Sequence, residues 1–403
     1  MKPLIIVGAG LAGYTVAREF RKLDKTRPIL IVTADDGAFY SKPMLSNALA
    51  QGKSAQQLAS QSVAQMATQL DATVLTATEV LAIDGENKTI ATAQGVHGYD
   101  KLVLAVGAAP IRLPLEGNAA DQVLSVNSLE HYQAFRARLA EQSASAKSRV
   151  AILGAGLIGC EFADDLAGVG HAVSLIDPNQ LPLAAIAPTV LSQGMADALR
   201  AKGIALRLGT FVRQVSHAAG ALQLQLADGS TVTVDLVLSA VGLRPNLALA
   251  QAASLTTKRG ILVDRFGQTS TPDIYALGDC AEYTFDGGVT QTLPYVAPLM
   301  TAARAIARSL SGSPTAIAQN PAPIIVKTPC YPLALVPPPL SALAAGDWRH
   351  TKHGETQVSR FYDQDGTISG FGVAPQQAAI RQQLLEMLGK KDVVRETVDA
   401  QAA

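Results

Sequence analysis

Two segments of this sequence carry glycines at a spacing that lets a polypeptide backbone bind phosphate. Both have the pattern G-x-G-x-x-G, with Gly8, Gly10 and Gly13 in the first copy and Gly154, Gly156 and Gly159 in the second. Glycine allows a sharp turn and lets a pyrophosphate approach the N–H groups at a helix N-terminus. The two copies therefore predict two dinucleotide-binding sites.

The residues around each copy agree with this interpretation, whereas a single glycine turn would be weak evidence. The preceding apolar strands are 4–7 and 150–153, and the helical patterns that follow are 14–23 and 161–169. A second apolar strand then ends near Asp35 and Asp36 in the first copy and at Asp177 in the second. A carboxylate about 20 residues after such a turn typically meets a ribose hydroxyl.

The composition limits the class of protein. The 403 residues include 33 basic and 33 acidic side chains, so the formal net charge is zero. This balance argues against a nucleic-acid or anionic-membrane surface spread over the whole molecule. No uninterrupted apolar segment reaches the ~18 residues of a membrane-spanning helix. We expect a soluble protein of two or three domains without a membrane span or a nucleic-acid partner.

The cysteines limit the chemistry. Cys160, Cys280 and Cys330 are widely separated and form neither a C-x-x-C pair nor a zinc-ligand pattern. This pattern fits a reducing cytoplasm and predicts no metal site. It also predicts that no pair of close cysteines carries electrons in this protein.

The order of strands and helices predicts an α/β fold with parallel sheets. The closing strands of the two nucleotide units are alike and end at Gly107 and Gly242. A later segment, TPDIYALGDCA, indicates a return to the first unit after an inserted second one. The predicted domains are 1–110 with 245–320, then 111–244 as the insertion, then a small α+β domain at 321–403.

Five elements together resemble the flavoprotein disulfide reductase superfamily, whose members have two Rossmann-like domains of the glutathione-reductase-like fold. These elements are both glycine turns, the two A-x-G strands and TPDIYALGDCA, and they span about 1–310. The resemblance implies that the first domain binds FAD and the inserted domain binds NADH. It also implies that Asp279, beside Gly278, contacts the flavin ribityl chain, whereas a turn or cap residue is the alternative.

Within the superfamily the chain resembles the ferredoxin, putidaredoxin and rubredoxin reductase branch. The segments YSKPMLSNAL and IVKTPCYPLALVPP resemble rubredoxin reductases in particular, which implies that Lys42, Pro43 and Lys327 lie near the flavin. Ordinary surface charges are the alternative for the two lysines. The loop from Ser41 to Ser46 has no cysteine where the oxidase, peroxidase and coenzyme A disulfide reductase branches carry one.

The resemblance and the chemistry of flavins assign further cofactor contacts. The FAD side comprises Gly8, Ala9, Gly10, Leu11, Ala12 and Gly13, the backbone of Thr33, Ala34 and Val80, the strand end at Gly107, and a helix start at Val296 that would stabilise a reduced ring. The NADH side comprises the second glycine turn, Gly242 and Asp177. A carboxylate at Asp177 would accept hydrogen bonds from a ribose diol and repel a 2′-phosphate, which favours NADH over NADPH.

Hydride transfer from NADH to a flavin requires positioning rather than an acid or a base. We predict that Glu161 pairs with Lys42 and orients the nicotinamide carboxamide, a helix-surface salt bridge being the alternative. These two residues are the predicted catalytic pair.

The implied function is NADH-dependent reduction of rubredoxin, in the service of alkane hydroxylation. Two alternatives stay open: a reductase of a [2Fe-2S] ferredoxin in an oxygenase system, and a slow-turnover redox-sensing flavoprotein. A basic patch would steer an acidic acceptor. Arg349, His350, Lys352 and His353 are candidates for it, although a merely solvated face is the simpler interpretation.

Overall fold

The structure is a computed structural model that describes residues 1–142, 147–285, 288–318 and 320–391. Residues 392–403 of the predicted C-terminal domain lie outside this range. The helices are α1 Leu11–Leu23, α2 Ala55–Leu58, α3 Val63–Leu70, α4 Leu129–Gln142, α5 Leu157–Gly168, α6 Thr189–Ala201, α7 Ala248–Ala252, α8 Val296–Leu310, α9 Leu340–Leu343 and α10 Ala378–Met387. Short 3-10 helices cover Lys42–Asn47, Ala120–Gln122 and Gly278–Cys280.

The strands follow the same chain order. They are β1 Leu4–Val7, β2 Ile29–Val32, β3 Ala72–Leu75, β4 Val80–Asp84, β5 Thr89–Thr92, β6 Gly95–Gly98, β7 Lys101–Leu104, β8 Ala108–Pro110, β9 Leu124–Ser125, β10 Arg149–Leu153, β11 Ala172–Asp177, β12 Ala205–Leu208, β13 Val212–Ala218, β14 Ala221–Leu226, β15 Thr231–Val234, β16 Leu236–Ser239, β17 Leu243–Pro245, β18 Ile261–Val263, β19 Ile274–Ala276, β20 Ala281–Thr284, β21 Thr290–Thr292, β22 Ile324–Val326, β23 Leu333–Val336, β24 Asp347–His353, β25 Thr356–Tyr362 and β26 Ile368–Ala374.

The chain divides into two compact units that do not follow the sequence continuously. The first comprises Met1–Pro43, Ala55–Ile111 and Leu243–Asn320, and the second comprises Met44–Ser54, Arg112–Gly242 and Pro321–Ala403. The described residues from Pro321 to Lys391 thus group with the second unit, and so does the short segment 44–54. The separate boundaries expected from the sequence stay predictions.

The first unit is built on a parallel sheet of five strands in the order β19-β7-β1-β2-β3. All four residues of the central strand β1 are buried, as expected for a strand covered on both faces. On one face, Tyr14 and Phe20 of α1 pack in the same core as Ala303 and Ile306 of α8. This packing holds α1 and α8 side by side against the sheet.

The second unit repeats this plan with the parallel order β12-β11-β10-β16-β9. Its C-terminal part is an antiparallel sheet, β22-β23-β26-β25-β24, against which α10 packs through Leu384. The predicted α/β fold with two dinucleotide-binding domains and a small C-terminal α+β part is confirmed.

One detail of the closing strands differs from the expectation. The strand β7 ends at Leu104 and β16 ends at Ser239, so both stop before Gly107 and Gly242. Each glycine then has positive φ, +64° and +107°, and is followed by a short strand. These short strands, β8 and β17, pair with each other antiparallel. This pairing lies where the chain leaves and re-enters the first unit.

Candidate functional site

The first glycine turn has a backbone that only glycine fits. Gly8 has φ +108°, and a Cβ at this position would lie 2.3 Å from the carbonyl oxygen of Ala105. A Cβ on Gly13 would lie 1.9 Å from the carbonyl oxygen of Gly8. Both distances are far below van der Waals contact. Gly8 is therefore required where the chain after β1 passes the end of β7, and Gly13 is required for the close approach of α1 to the turn.

The middle glycine has a different surrounding. Gly10 is the N-cap residue of α1, its side-chain position faces open space, and no described side chain caps the helix. The first N–H groups of a helix have no partner within the helix and carry its positive dipole end. The turn therefore offers backbone donors to an anion, and a pyrophosphate fits this arrangement.

The second glycine turn repeats the same geometry in the second unit. Gly154 has φ +99°, and a Cβ there would lie 2.7 Å from the carbonyl oxygen of Ala240. A Cβ on Gly159 would lie 1.8 Å from the oxygen of Gly154. Gly156 is the N-cap of α5, again with open space and no side-chain cap. The second turn is therefore also built to receive an anion.

Gly278 and Asp279 lie close to the first glycine turn. Gly278 has φ +77°, and a Cβ there would lie 3.0 Å from the Cβ of Ala12 and 3.7 Å from a methyl group of Leu299. Ala12 belongs to the first turn of α1 and Leu299 to the first turn of α8. The helix α8 begins at Val296, as predicted, and has no side-chain cap. The first turns of two helices thus lie beside Gly278, the residue before Asp279.

The predicted flavin-side residues outside the glycine turn are placed as follows. Lys42 is half-buried, and this burial lowers its pKa, while the carboxylates of Asp279 and Asp35 act in the opposite direction. The backbone N–H of Thr33 donates to Leu75 and its carbonyl accepts from Thr78, both at 2.9 Å. The protein itself therefore uses both backbone groups of Thr33.

Two other predicted adenosine contacts differ in exposure. Ala34 is exposed directly after Thr33. Val80 is buried and opens β4, where it pairs with Thr92 of β5.

Glu161 forms the most connected buried polar group among the predicted site residues. It has 0% exposure and lies on α5, two residues beyond Gly159. Its Oε2 accepts hydrogen bonds from the Ser46 hydroxyl and from the Lys327 ammonium, and its Oε1 accepts from the Lys327 backbone N–H at 2.9 Å. The Lys327 ammonium also lies 3.4 Å from the Ser46 hydroxyl oxygen.

Within the second unit, Glu161 has an ion-pair partner that the sequence did not indicate. This partner is Lys327, which directly follows β22. Glu161 and Lys327 are 166 positions apart, so no local pattern could connect them. The predicted pairing of Glu161 with Lys42 stays a prediction. Glu161 and Lys327 also line a cavity of about 470 Å³ in the second unit.

Two further buried carboxylates follow on the same helix. Asp165 is 5% exposed and accepts the backbone N–H groups of Leu49 and Ala50 at 2.9 and 2.8 Å. Burial raises the pKa of its carboxyl group, and these two hydrogen bonds counteract that rise. Asp164 pairs with Lys202 at 2.6 Å. Sequence reasoning missed these residues, although three acids within five positions of an otherwise apolar helix were a usable signal.

Asp177 has a structural role in addition to the predicted one. It is 8% exposed and its Oδ2 accepts the N–H of Ala155, inside the second glycine turn, at 2.6 Å. Its Oδ1 accepts the backbone N–H and the side-chain amide of Asn179 at 2.7 and 2.8 Å. The carboxylate thus braces the glycine turn. Its predicted contact with a ribose stays a prediction.

The three cysteines have thiols whose pKa is raised by burial, to about 11 for Cys280 and about 12 for Cys330, and the pKa of Cys160 is raised in the same direction. All three are free thiols. Among the described residues, no group of three or more His, Cys, Asp or Glu side chains is placed to hold a metal ion.

The predicted basic cluster lies on an edge strand. Arg349, His350, Lys352 and His353 belong to β24, the outermost strand of the C-terminal sheet. Arg349 pairs with Asp347 at 3.0 Å, and its guanidinium lies 4.5 Å from the centre of the Tyr362 ring. None of the helices in the described part of the chain is long and apolar enough to cross a membrane.

Comparisons with known proteins agree with this geometry. Residues 2–307 match the family model of the pyridine nucleotide-disulphide oxidoreductases, and residues 316–388 match a rubredoxin binding C-terminal domain. The chain is 43% identical to the rubredoxin-NAD(+) reductase of Alcanivorax borkumensis over 93% of its own length and 95% of that protein. It is 39% identical to the nitric oxide reductase FlRd-NAD(+) reductase of Aeromonas salmonicida, over 96% of each.

Solved structures give the same result. The putidaredoxin reductase in its covalent complex with putidaredoxin has a TM-score of 0.86 and 25% identity, over 96% of this chain and 94% of that one. The ferredoxin reductase from Rhodopseudomonas palustris has a TM-score of 0.84 and 25% identity, over 93% and 91%. The doubled glycine turns and the match over residues 2–307 lead to one conclusion. This chain belongs to the pyridine nucleotide-disulphide oxidoreductase family.

Proposed function

We propose that this chain is an FAD-containing enzyme that takes electrons from NADH and passes them to rubredoxin. The observation that carries the proposal is the combination of two glycine turns with a rubredoxin-binding domain at residues 316–388. Each glycine turn would bind one dinucleotide. The domain at residues 316–388 would bind the one-electron acceptor.

The first unit has a cradle that fits FAD. A pyrophosphate would lie on the uncapped N-terminus of α1 at Gly10. Asp279, which follows Gly278 near this helix, would contact the ribityl chain. The uncapped N-terminus of α8 at Val296 supplies a positive dipole end. Lys42 supplies a cation near Asp279, and its pKa is lowered by burial. These groups would stabilise negative charge on a reduced ring.

The second unit has a cradle that fits NADH. The N-terminus of α5 at Gly156 would hold the pyrophosphate. The Asp177 carboxylate accepts hydrogen bonds from Ala155 and Asn179. Its remaining lone pairs would accept a hydrogen bond from a ribose hydroxyl, and its charge would repel a 2′-phosphate. The proposal therefore includes a preference for NADH over NADPH.

Glu161 is proposed to orient the nicotinamide carboxamide. Lys327 compensates its charge and Ser46 donates to it, so the carboxylate is held in one position. When bound, the flavin supplies a two-electron acceptor that can release electrons singly. The protein contributes orientation, charge compensation and exclusion of water from the reacting atoms. The predicted position of Lys327 near the flavin belongs to the same proposal.

Two finer assignments are also proposed. A reducing, cytoplasmic location is supported by the three free thiols. Delivery of the electrons to alkane hydroxylation follows the rubredoxin assignment and is the most specific part of the proposal. A second candidate acceptor is FlRd, which appears in the name of the Aeromonas salmonicida relative. The 39% identity of that reductase to this chain supports it.

The decisive experiment is an acceptor comparison. Purified protein loaded with FAD is mixed with NADH and, in separate reactions, with rubredoxin, a [2Fe-2S] ferredoxin and an FlRd protein, and reduction is followed by absorbance. We expect flavin reduction within seconds and the largest kcat/KM with rubredoxin. A larger kcat/KM with another acceptor would replace rubredoxin as the partner. Flavin reduction slower than minutes would support the redox-sensing alternative instead.

A further inference from the structure

The short segment 44–54 is held against helix α5 at two points. Ser46 donates its hydroxyl hydrogen bond to Glu161, and three residues later Leu49 and Ala50 donate their N–H groups to Asp165. Glu161 and Asp165 are four residues apart on α5, so they lie on one face of the helix, one turn apart. The helix and the segment are therefore joined in a fixed register.

The Asp165 contact is stronger than an ordinary surface hydrogen bond. The side chain is 5% exposed, and each carboxylate oxygen receives one of two consecutive backbone N–H groups. Hydrogen bonds to a buried carboxylate are charge-assisted and costly to lose, because both the charge and the donors would remain without partners. Asp164, the neighbouring acid, is instead bound to Lys202. Asp165 is thus committed to the segment.

A third contact supports the same segment at its far end. Arg136 of α4 donates to the carbonyl oxygen of Lys53 at 2.8 Å and to the hydroxyl of Tyr132 at 2.9 Å. Ser46 itself is 2% exposed. A shift of the segment by one residue would remove its hydroxyl from Glu161, and Glu161 would then keep only the two contacts from Lys327.

We propose that Asp165 is a positioning residue for Glu161: by fixing Leu49 and Ala50 it places the Ser46 hydroxyl on the Glu161 carboxylate. Ser46 is the link through which Asp165 acts, and both residues then support the orientation of the nicotinamide carboxamide. This inference rests on the proposed function for its effect on NADH. The hydrogen bonds from Leu49 and Ala50 to Asp165, here called the clamp, rest on the contacts alone.

The test compares Asp165→Asn and Ser46→Ala, with Asp197→Asn as the matched control on an exposed pair with Arg200. Asp165→Asn replaces one acceptor by a donor that faces an N–H group. We expect backbone amide exchange at Leu49 and Ala50 to become at least about tenfold faster in Asp165→Asn. We expect Ser46→Ala and Asp197→Asn to leave exchange at these two amides unchanged.

The kinetic measurement separates positioning from loss of structure. With FAD content and the visible flavin spectrum unchanged, both Asp165→Asn and Ser46→Ala should slow flavin reduction at saturating NADH about tenfold, with the Kd for NADH within threefold of wild type. In the Glu161→Gln background, Asp165→Asn should cause no further loss. An equal further loss in that background, or an unchanged rate in Asp165→Asn, would overturn the proposal.

Failure of the proposed function gives a different result. If NADH does not reduce the wild-type flavin, the enzymatic proposal fails, while the exchange comparison still tests the clamp. If Asp165→Asn does not fold, wild-type protein provides the test. The amides of Leu49 and Ala50 must then exchange more slowly than that of the exposed Gln51. Equal exchange at the three amides would overturn the clamp.

Discussion

The two glycine turns have almost the same backbone and very different surroundings. A Cβ on the third glycine would lie 1.9 Å from a carbonyl oxygen in the first turn and 1.8 Å in the second. The helix of the first turn, α1, buries Tyr14 and Phe20. The helix of the second turn, α5, buries three carboxylates. The turn is thus a local device, and its use depends on what the helix beyond it contacts.

The acids that follow the two turns differ in the same way. In the first unit, Asp35 accepts from the Thr33 hydroxyl and from the N–H of Gly37, within its own loop. In the second unit, Asp177 reaches back to Ala155 and braces the glycine turn itself. The second turn therefore depends on a buried carboxylate that the first turn does not need.

The largest expected effect tests whether both turns require glycine at the same positions. We expect Gly13→Ala and Gly159→Ala each to lower the free energy of unfolding by about 3 kcal/mol, because the added methyl group overlaps a backbone carbonyl that cannot move freely. Gly10→Ala and Gly156→Ala, which face open space, should change it by less than about 1 kcal/mol. Urea denaturation of the four variants measures this, and similar midpoints for all four would contradict it.

The next effect concerns the carboxylates that distinguish α5. We expect Lys327→Met to lower the free energy of unfolding by about 2–3 kcal/mol, since Glu161 then becomes a buried charge without its cation. Adding Glu161→Gln should recover part of this loss. Losses that simply add in the double variant would show that the two residues do not interact, and the check is again urea denaturation.

A smaller effect separates the ligands of the two turns. We expect Gly10→Ala to reduce the amount of FAD that co-purifies, and Gly156→Ala to raise the KM for NADH about tenfold, because each methyl group occupies the approach of one pyrophosphate. Flavin absorbance per protein and steady-state kinetics measure the two results. If Gly10→Ala instead raised the KM for NADH and Gly156→Ala reduced the FAD content, FAD would belong to the second unit and NADH to the first.

The smallest effect concerns the other end of the second sheet. Arg149 at the start of β10 donates to Asp235, and this hydrogen bond lowers the pKa of the Asp235 carboxyl group. A lowered pKa stabilises the fold above the ordinary value of about 3.9, and this contribution is lost as the pH falls through the lowered pKa. We expect Asp235→Asn to cost less than about 1 kcal/mol at pH 7, because nearly half of the Arg149 side chain is exposed and water screens the pair. Thermal melts from pH 7 to pH 2 should show the difference disappearing; a constant difference would assign it to another cause.

Several features could be predicted because their causes are local. The strand, the glycines and the helix of each turn are adjacent in sequence, and an alternation of strands and helices constrains the sheet order. The start of α8 at Val296 followed from a helical pattern and is confirmed. The predicted strand ends at Gly107 and Gly242 were wrong, because the short strands β8 and β17 that follow these glycines pair with each other, and this pairing joins segments far apart in the chain.

The sequence by itself determined two dinucleotide-binding turns and the order of the elements that carry them. Steric limits on positive φ require glycine in each turn, and the hydrophobic effect requires an apolar strand before it. Only the tertiary structure decided that Glu161 pairs with Lys327 and that Asp165 holds Leu49 and Ala50. These partners are 166, 116 and 115 residues distant along the chain. A buried carboxylate must find a donor, but the folded arrangement of the chain chooses which one.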